Sequence, residues 1–198
     1  MKLSKLSAVN LIFAASIITL GACSAKPARD VDSHYDISLA VPSTTYGTEA
    51  KVMLRRVDIR GIQSGRPLVQ IIGNEPVKFR EERGHYWHVS APTLLERSIS
   101  DALSTSSVDA TFGTSATMQN ADFQYSIDVR LFAYKPGQEA LVIFGAVVKN
   151  KKGVIVLSET YQADAKLATA EPADAVNALG NALSAALADM ASDLADAI

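Results

Sequence analysis

Phe123-Gln124-Tyr125-Ser126-Ile127-Asp128-Val129-Arg130-Leu131, FQYSIDVRL, alternates apolar and polar side chains without a break. Successive side chains on a strand point to opposite faces, so this spacing predicts a β-strand with one buried and one solvated face. Pro136-Gly137 follows and ends it in a turn. Next comes Ala140–Val148, ALVIFGAVV, apolar at every position. That composition predicts a central strand covered on both faces. Lys151-Lys152-Gly153 marks another turn, and Val154–Leu157 starts a further strand. Three strands with such short connections predict an antiparallel meander.

On the carboxyl side, Glu171-Pro172 opens a long helical pattern. Val176, Leu179, Leu183, Leu187, Met190, Leu194 and Ile198 recur at steps of three and four, one face of an amphipathic helix of about seven turns. The other face reads as Ala, Asn, Ser and Asp. A helix that lies on a membrane surface carries Lys or Arg on its polar face. This face is acidic, so the stripe is read as core. On the amino side, a second helix is predicted from Ser90-Ala91-Pro92, with Pro in the first turn and Thr93…Glu96 at capping-box spacing. Its apolar stripe is Leu95, Ile99, Ala102 and Leu103.

Earlier strands are shorter. Tyr35–Leu39 alternates and stops near Pro42, and Lys51–Ile59, KVMLRRVDI, is β-rich but mixed in face. Leu68–Ile72 and Val77–Arg80 flank Gly73-Asn74-Glu75-Pro76 and read as a hairpin. The expected fold class is α/β. It is a single domain with a mixed, mostly antiparallel sheet and two helices packed on one face, the long amphipathic one at the carboxyl end.

The first residues carry a different signal. Lys2 and Lys5 precede an apolar run from Leu6 to Leu20, and Gly21-Ala22 bring small residues before Cys23. A positive start, an apolar middle and a small-residue end make a secretory signal. The run is marginal as a membrane span, so an uncleaved anchor is the weaker reading. Leu20-Gly21-Ala22-Cys23 resembles the lipobox of bacterial lipoproteins. Cleavage before Cys23, diacylglycerol on its thiol and an acyl chain on the new amine are expected from that resemblance. One acyl chain binds a membrane only marginally and stable anchoring takes at least two, so three would hold firmly. The competing reading is an ordinary free cysteine. Cys23 is the chain's single cysteine. The folded domain therefore does without a disulfide in an oxidising compartment. Ser24, rather than Asp, after the cysteine resembles the outer-membrane sorting pattern. The expected division is 1–22 signal peptide, 23–33 lipidated end and flexible tether, and 34–198 folded domain. Loss of Lys2 and Lys5 takes the net charge from −2 to about −4, 17 basic against 21 acidic residues, without the basic footprint of a nucleic-acid binder.

Catalytic constellations are not evident. There is no GxSxG and no P-loop. His85 and His88 are spaced three apart, as metal ligands on a helix can be, but they flank Tyr86-Trp87 ahead of the helix. Glu81, Glu82 and Asp101 read as solvated or structural carboxylates. Arg55-Arg56, with Arg60 and Arg66, reads either as a solvated strand edge or as an interface to anionic headgroups or an acidic partner. Trp87 reads either as core or, with Tyr86, as an aromatic anchor of an interface. No resident cofactor or metal is expected beyond the acyl groups on Cys23.

In order along the chain, several landmarks resemble the ABC-type transport auxiliary lipoproteins, the group that includes paraquat-inducible protein C. They are Tyr35-Asp36-Ile37-Ser38-Leu39, Val57-Asp58-Ile59, Arg66-Pro67-Leu68-Val69, Trp87 before Pro92 and Leu94, Ala121-Asp122-Phe123, and the Ala-rich closing helix. Departures are Arg60 where the family often has Pro, Tyr86 where Arg often precedes the Trp, and Ser64-Gly65 in place of Leu-Asp. The resemblance implies a non-enzymatic outer-membrane lipoprotein. Its partners would be an MCE-domain protein of an ABC transporter that moves lipid between membranes, with a homo-oligomeric ring as a further expectation. The alternative is an outer-membrane lipoprotein with a structural, assembly or secretion role.

Overall fold

The computed structural model describes residues 31–198, so the signal, Cys23 and most of the tether lie outside the described residues. The compact unit runs from Asp32 to Ile198. In chain order the elements are β1 (Ser33–Tyr35), β2 (Thr44–Thr45), β3 (Lys51–Ile59), a 3-10 turn (Gly61–Ser64), β4 (Pro67–Asn74), β5 (Val77–Trp87) and α1 (Ala91–Ser106). β6 (Ser107–Val108), β7 (Thr111–Thr114), β8 (Phe123–Lys135), β9 (Glu139–Asn150), β10 (Ile155–Lys166) and α2 (Pro172–Ala197) complete the chain.

The alternating stretch is the centre of the sheet. β9 runs antiparallel along the whole of β8, and β10 pairs antiparallel beyond it, which is the predicted meander. Two strands share the other side of β8. β3 lies parallel to Phe123–Val129, and β4 meets it in parallel at Gln70↔Tyr134. β7 pairs outside β3, while β5 and then β1 pair outside β4. β2 and β6 form a small parallel pair apart from the main sheet. The 3-10 turn carries the chain off the sheet between β3 and β4. There Gln63, itself buried, presents its Oε1 to the Phe132 N–H at 2.6 Å. A side chain thus supplies the acceptor that a neighbouring strand supplies elsewhere.

Both helices lie on one face, as predicted. Tyr125, Ile127, Val129, Phe132 and Tyr134 of β8 point into a core shared with Val142, Phe144, Ala146 and Val148 of β9. α1 covers β3 and β7, and α2 covers β9 and β10. The second helix is apolar over a wider arc than its leucine stripe implied. Ala175, Ala178, Ala182, Ala186 and Ala191 are buried beside the leucines, so much of the alanine assigned to the solvent face belongs to the interface. Ile198 follows the helix and packs against the core.

Three local readings need correction. β9 is covered on one face only: Leu141, Ile143 and Val147 point to the uncovered side and stay half-exposed among their strand neighbours. The alternation at Tyr35–Leu39 is a strand only as far as Tyr35. The next residues cross the helical layer, with Ile37 buried and the Ala40 N–H donating to Ser184 Oγ at 2.9 Å. The Thr93…Glu96 capping box does not form. Ser90 stands at the N-cap without a side-chain bond to the helix backbone, and its hydroxyl meets that of Thr93 at 2.9 Å.

Candidate functional site

The residues singled out from the sequence fall into two regions. The first is where the tether joins the fold. β1 pairs parallel with the end of β5, Ser33↔His85, His34↔Tyr86 and Tyr35↔Trp87. Alternation then puts Tyr35 and Trp87 on the core side and His34 and Tyr86 on the uncovered side. Trp87 is 2% exposed and stacks on Phe132 with ring centroids 5.6 Å apart. Of its two readings, this burial matches the core one, and the indole offers no surface to a partner. Tyr86 is half-buried, its ring 5.8 Å from that of His34.

Arg66, read before as one of a basic run and as the start of the Arg66-Pro67-Leu68-Val69 landmark, ties this corner together. Its Nε donates to the Trp87 carbonyl and its Nη2 to His34 Nδ1, each at 3.2 Å. Beyond β1, Arg97 of α1 holds both carboxylate oxygens of Asp36 at 2.8 Å. His85 and His88 do not converge. His85 Nδ1 lies 2.9 Å from the Tyr35 hydroxyl, and His88 faces Asp36 and Arg97. Among the described residues, no group of three His, Cys, Asp or Glu side chains is placed to hold a metal.

The second region is the uncovered face of the sheet. A shallow groove of about 640 Å³ runs over β3, β8, β9 and β10 and includes Arg55, Arg56, Asp58, Asp128, Arg130 and Lys149. Arg55 is the extra residue of a bulge between Leu54↔Tyr125 and Arg56↔Ser126, which gives this strand its mixed facing. β7 ends its pairing at Leu54, so the two arginines sit where the outer side of β3 has no strand partner. Arg55 donates to Gln124 Oε1 at 3.2 Å, and Arg56 Nε lies 2.9 Å from Asp58. Asp58 and Asp128 are direct neighbours in register. Arg130 relieves that like-charge contact from the far side, its Nε 3.8 Å from Asp128. It reaches Thr160 Oγ1 at 3.3 Å by crossing Gly145, where an added Cβ would stand 3.2 Å from Nη2. Exposed pairs of this kind contribute about 0–1 kcal/mol each. The polar pairs of this groove therefore contribute little to stability.

The ionisable groups with displaced pKa values are mostly structural. Burial pushes the Tyr46 hydroxyl up to about 12, and it pushes Tyr125 up further. Tyr134 is raised by burial and then by Glu82, whose Oε2 accepts its hydroxyl hydrogen at 3.1 Å. Tyr161 is raised by burial and by its bond to Asp193. Asp122 is held low, first by the hydrogen bond from Lys151. Tyr134 and Glu82 extend to Gln70 and Arg80: Gln70 Nε2 donates to the Tyr134 hydroxyl at 3.1 Å, and Arg80 Nη2 donates to Gln70 Oε1 at 2.6 Å. This network fastens the β4–β5 hairpin to β8. The sequence held no signal for it, because its members are far apart in the chain.

Residues 35–191 match the family model described as ABC-type transport auxiliary lipoprotein component. Comparison with curated proteins finds no match. Among solved structures, the fold is shared with a Xanthomonas campestris protein of the family model DUF330. That structure has a TM-score of 0.69 at 15% identity, covering 80% of this chain and 92% of the other. It is shared too with a second, uncharacterised protein, at TM-score 0.67 and 11% identity, over 84% of this chain and 97% of the other.

Proposed function

The chain belongs to the family of ABC-type transport auxiliary lipoprotein components, and from that membership we propose that it is the outer-membrane docking or conduit subunit of an MCE-type ABC system. Such a system carries lipid between the inner and outer membranes. The observation that carries the reading is the family match over nearly the whole folded unit, with Leu20-Gly21-Ala22-Cys23 placed ahead of it. In this reading Cys23 bears the diacylglycerol and the N-acyl chain and fixes the domain to the membrane. The sheet face around Arg55 and Arg56 and the corner at Tyr86 are the exposed parts of the predicted contact surface. Trp87 supports that corner from inside. The role is recognition and placement, without a chemical step, and a ring of copies is one form the assembly can take.

The test is in-cell cross-linking of the tagged, lipidated protein, with identification of what co-purifies from detergent. Recovery of an MCE-domain protein with its ATPase and permease supports the proposal. Recovery of unrelated envelope proteins alone, with the bait intact in the outer membrane, overturns it in favour of a structural, assembly or secretion role.

A further inference from the structure

We propose that the tip of the β4–β5 hairpin, Gly73–Arg80, is the membrane-facing end of the domain and rests in the headgroup region of the phospholipid leaflet that holds Cys23. This rests on the lipidation of Cys23 and adds an orientation to it. The direction comes from β1. It runs parallel to β5, starting beside His85, so the chain before Ser33 arrives from the side where β5 begins. Val31 is already 88% exposed, clear of the fold.

The length agrees with the direction. Ten residue steps separate Cys23 from Ser33, a span of about 33 Å when extended. Eight residue steps separate His85 from Val77, at most about 26 Å, since β5 bulges against β4 between Glu81 and Tyr86. The tether is therefore long enough to let the leaflet that holds Cys23 meet the hairpin tip. Its composition suits that place. Val77 is 57% and Phe79 39% exposed, and they alternate with the cationic Lys78 and Arg80. Apolar side chains beside cations bind a bilayer interface by burying area and attracting anionic lipid. Glu75 is the one carboxylate between Gly73 and Arg80. Behind the tip, Val69, Ile71 and Ala133 form a second small apolar cluster with Leu131 and Leu141, separate from the main core.

The opposite end of the sheet supplies a control of equal exposure. Val154 is 55% exposed in the turn between β9 and β10. That turn lies beside the start of β8, since Phe123 pairs with Asn150. The hairpin joins β8 near its end, at Tyr134.

The experiment uses the full chain, made with its signal and placed in nanodiscs of phosphatidylethanolamine and phosphatidylglycerol. A nitroxide is attached through Val77→Cys or, separately, Val154→Cys, while acylation keeps Cys23 from reacting. Collisions with an aqueous nickel chelate and with membrane-dissolved oxygen are read by EPR, and mass spectrometry reports the Cys23 adduct. The expected result is loss of chelate collisions and gain of oxygen collisions at residue 77, with residue 154 still open to the chelate. An acylated Cys23 with residue 77 open to the chelate overturns the orientation alone. Shielding of residue 77 that grows with protein concentration in detergent assigns the tip to a second copy and also overturns it. An unmodified Cys23 overturns both the anchor and the orientation built on it.

Discussion

Trp87 shows how little a residue's type says about its role until its neighbours are known. Its indole is buried against Phe132, so Trp87→Ala leaves a cavity and should cost about 3–5 kcal/mol. Urea unfolding of the 32–198 domain reads this directly; a cost under 1 kcal/mol would mean that the ring is not core. Gly180 makes the opposite point within a helix. Alanine is favoured over glycine there by about 1 kcal/mol on propensity alone. Yet an added Cβ would stand 2.8 Å from the Ser38 carbonyl oxygen, closer than such atoms approach. Overpacking of that kind costs about 1–3 kcal/mol, so Gly180→Ala should destabilise rather than stabilise. Faster amide exchange at residues 37–40 would locate the strain in the segment that crosses the helix.

Tyr46 turns burial into a pH effect. Its hydroxyl is buried without a hydrogen-bond partner among the described residues, and its pKa is raised to about 12. An acid whose folded pKa lies above its unfolded value contributes stability that is intact below the unfolded pKa. That contribution is lost as pH rises, because the unfolded chain releases the proton first. Tyr46 should therefore weaken the fold between about pH 10 and pH 12. Tyr46→Phe removes an unpaired buried hydroxyl, so stability at neutral pH should hold or rise. The alkaline loss should become shallower than in the parent, as denaturant midpoints at stepped pH would record.

At the scale of the element, the junction between β3 and β4 carries the clearest liability. The Phe132 N–H is satisfied by Gln63 alone where neither strand reaches β8. Gln63→Ala leaves that buried donor unpaired and should cost about 1–3 kcal/mol. Hydrogen exchange should quicken at Phe132 and across the β4–β5 hairpin, while β9 and β10 stay protected. Uniform quickening across the sheet would mean that Gln63 supports the whole core instead. This junction also marks what was legible in the chain. β8 could be read because one-sided burial writes a period of two from Phe123 to Val129, but the irregularity before Leu131 takes that leucine out of the main core and brings Phe132 in. β9 misled because its uncovered face is apolar too, shielded by neighbouring strands rather than by a layer of helices. The stretch after Tyr35 misled because it alternates like a strand while the Ile37 N–H turns to the Asp36 carboxylate and the Ala40 N–H to Ser184 of α2. The sharing of one side of β8 by β3 and β4 leaves no local pattern, since parallel pairing joins segments far apart in sequence. Among the candidate contact residues, Arg55 and Arg56 were visible as a charge run. Arg66 as the tie between Trp87 and His34 was not, because that role exists only once β1 has docked.

For the whole molecule, the proposed anchor lies outside the folded unit. The compact unit begins at Asp32 and holds its own core, while the residue expected to bind the membrane lies nine positions earlier in the chain. None of the described helices is long and apolar enough to cross a bilayer, so in the proposed reading Cys23 carries the attachment. Cys23→Ala should then shift the protein from the membrane fraction to the soluble periplasmic fraction, with the thermal midpoint of the domain unchanged. Each acyl CH₂ contributes about 0.8 kcal/mol of membrane binding, far more in sum than a hairpin tip that buries two apolar side chains. A variant that stays on the membrane would show that protein contacts hold it there and that the acyl chains are dispensable. A variant that leaves the membrane but also loses its thermal midpoint would show that anchoring and folding are coupled. If it leaves intact and transport fails, the domain's contribution depends on where it is held, which is what the proposed docking role requires.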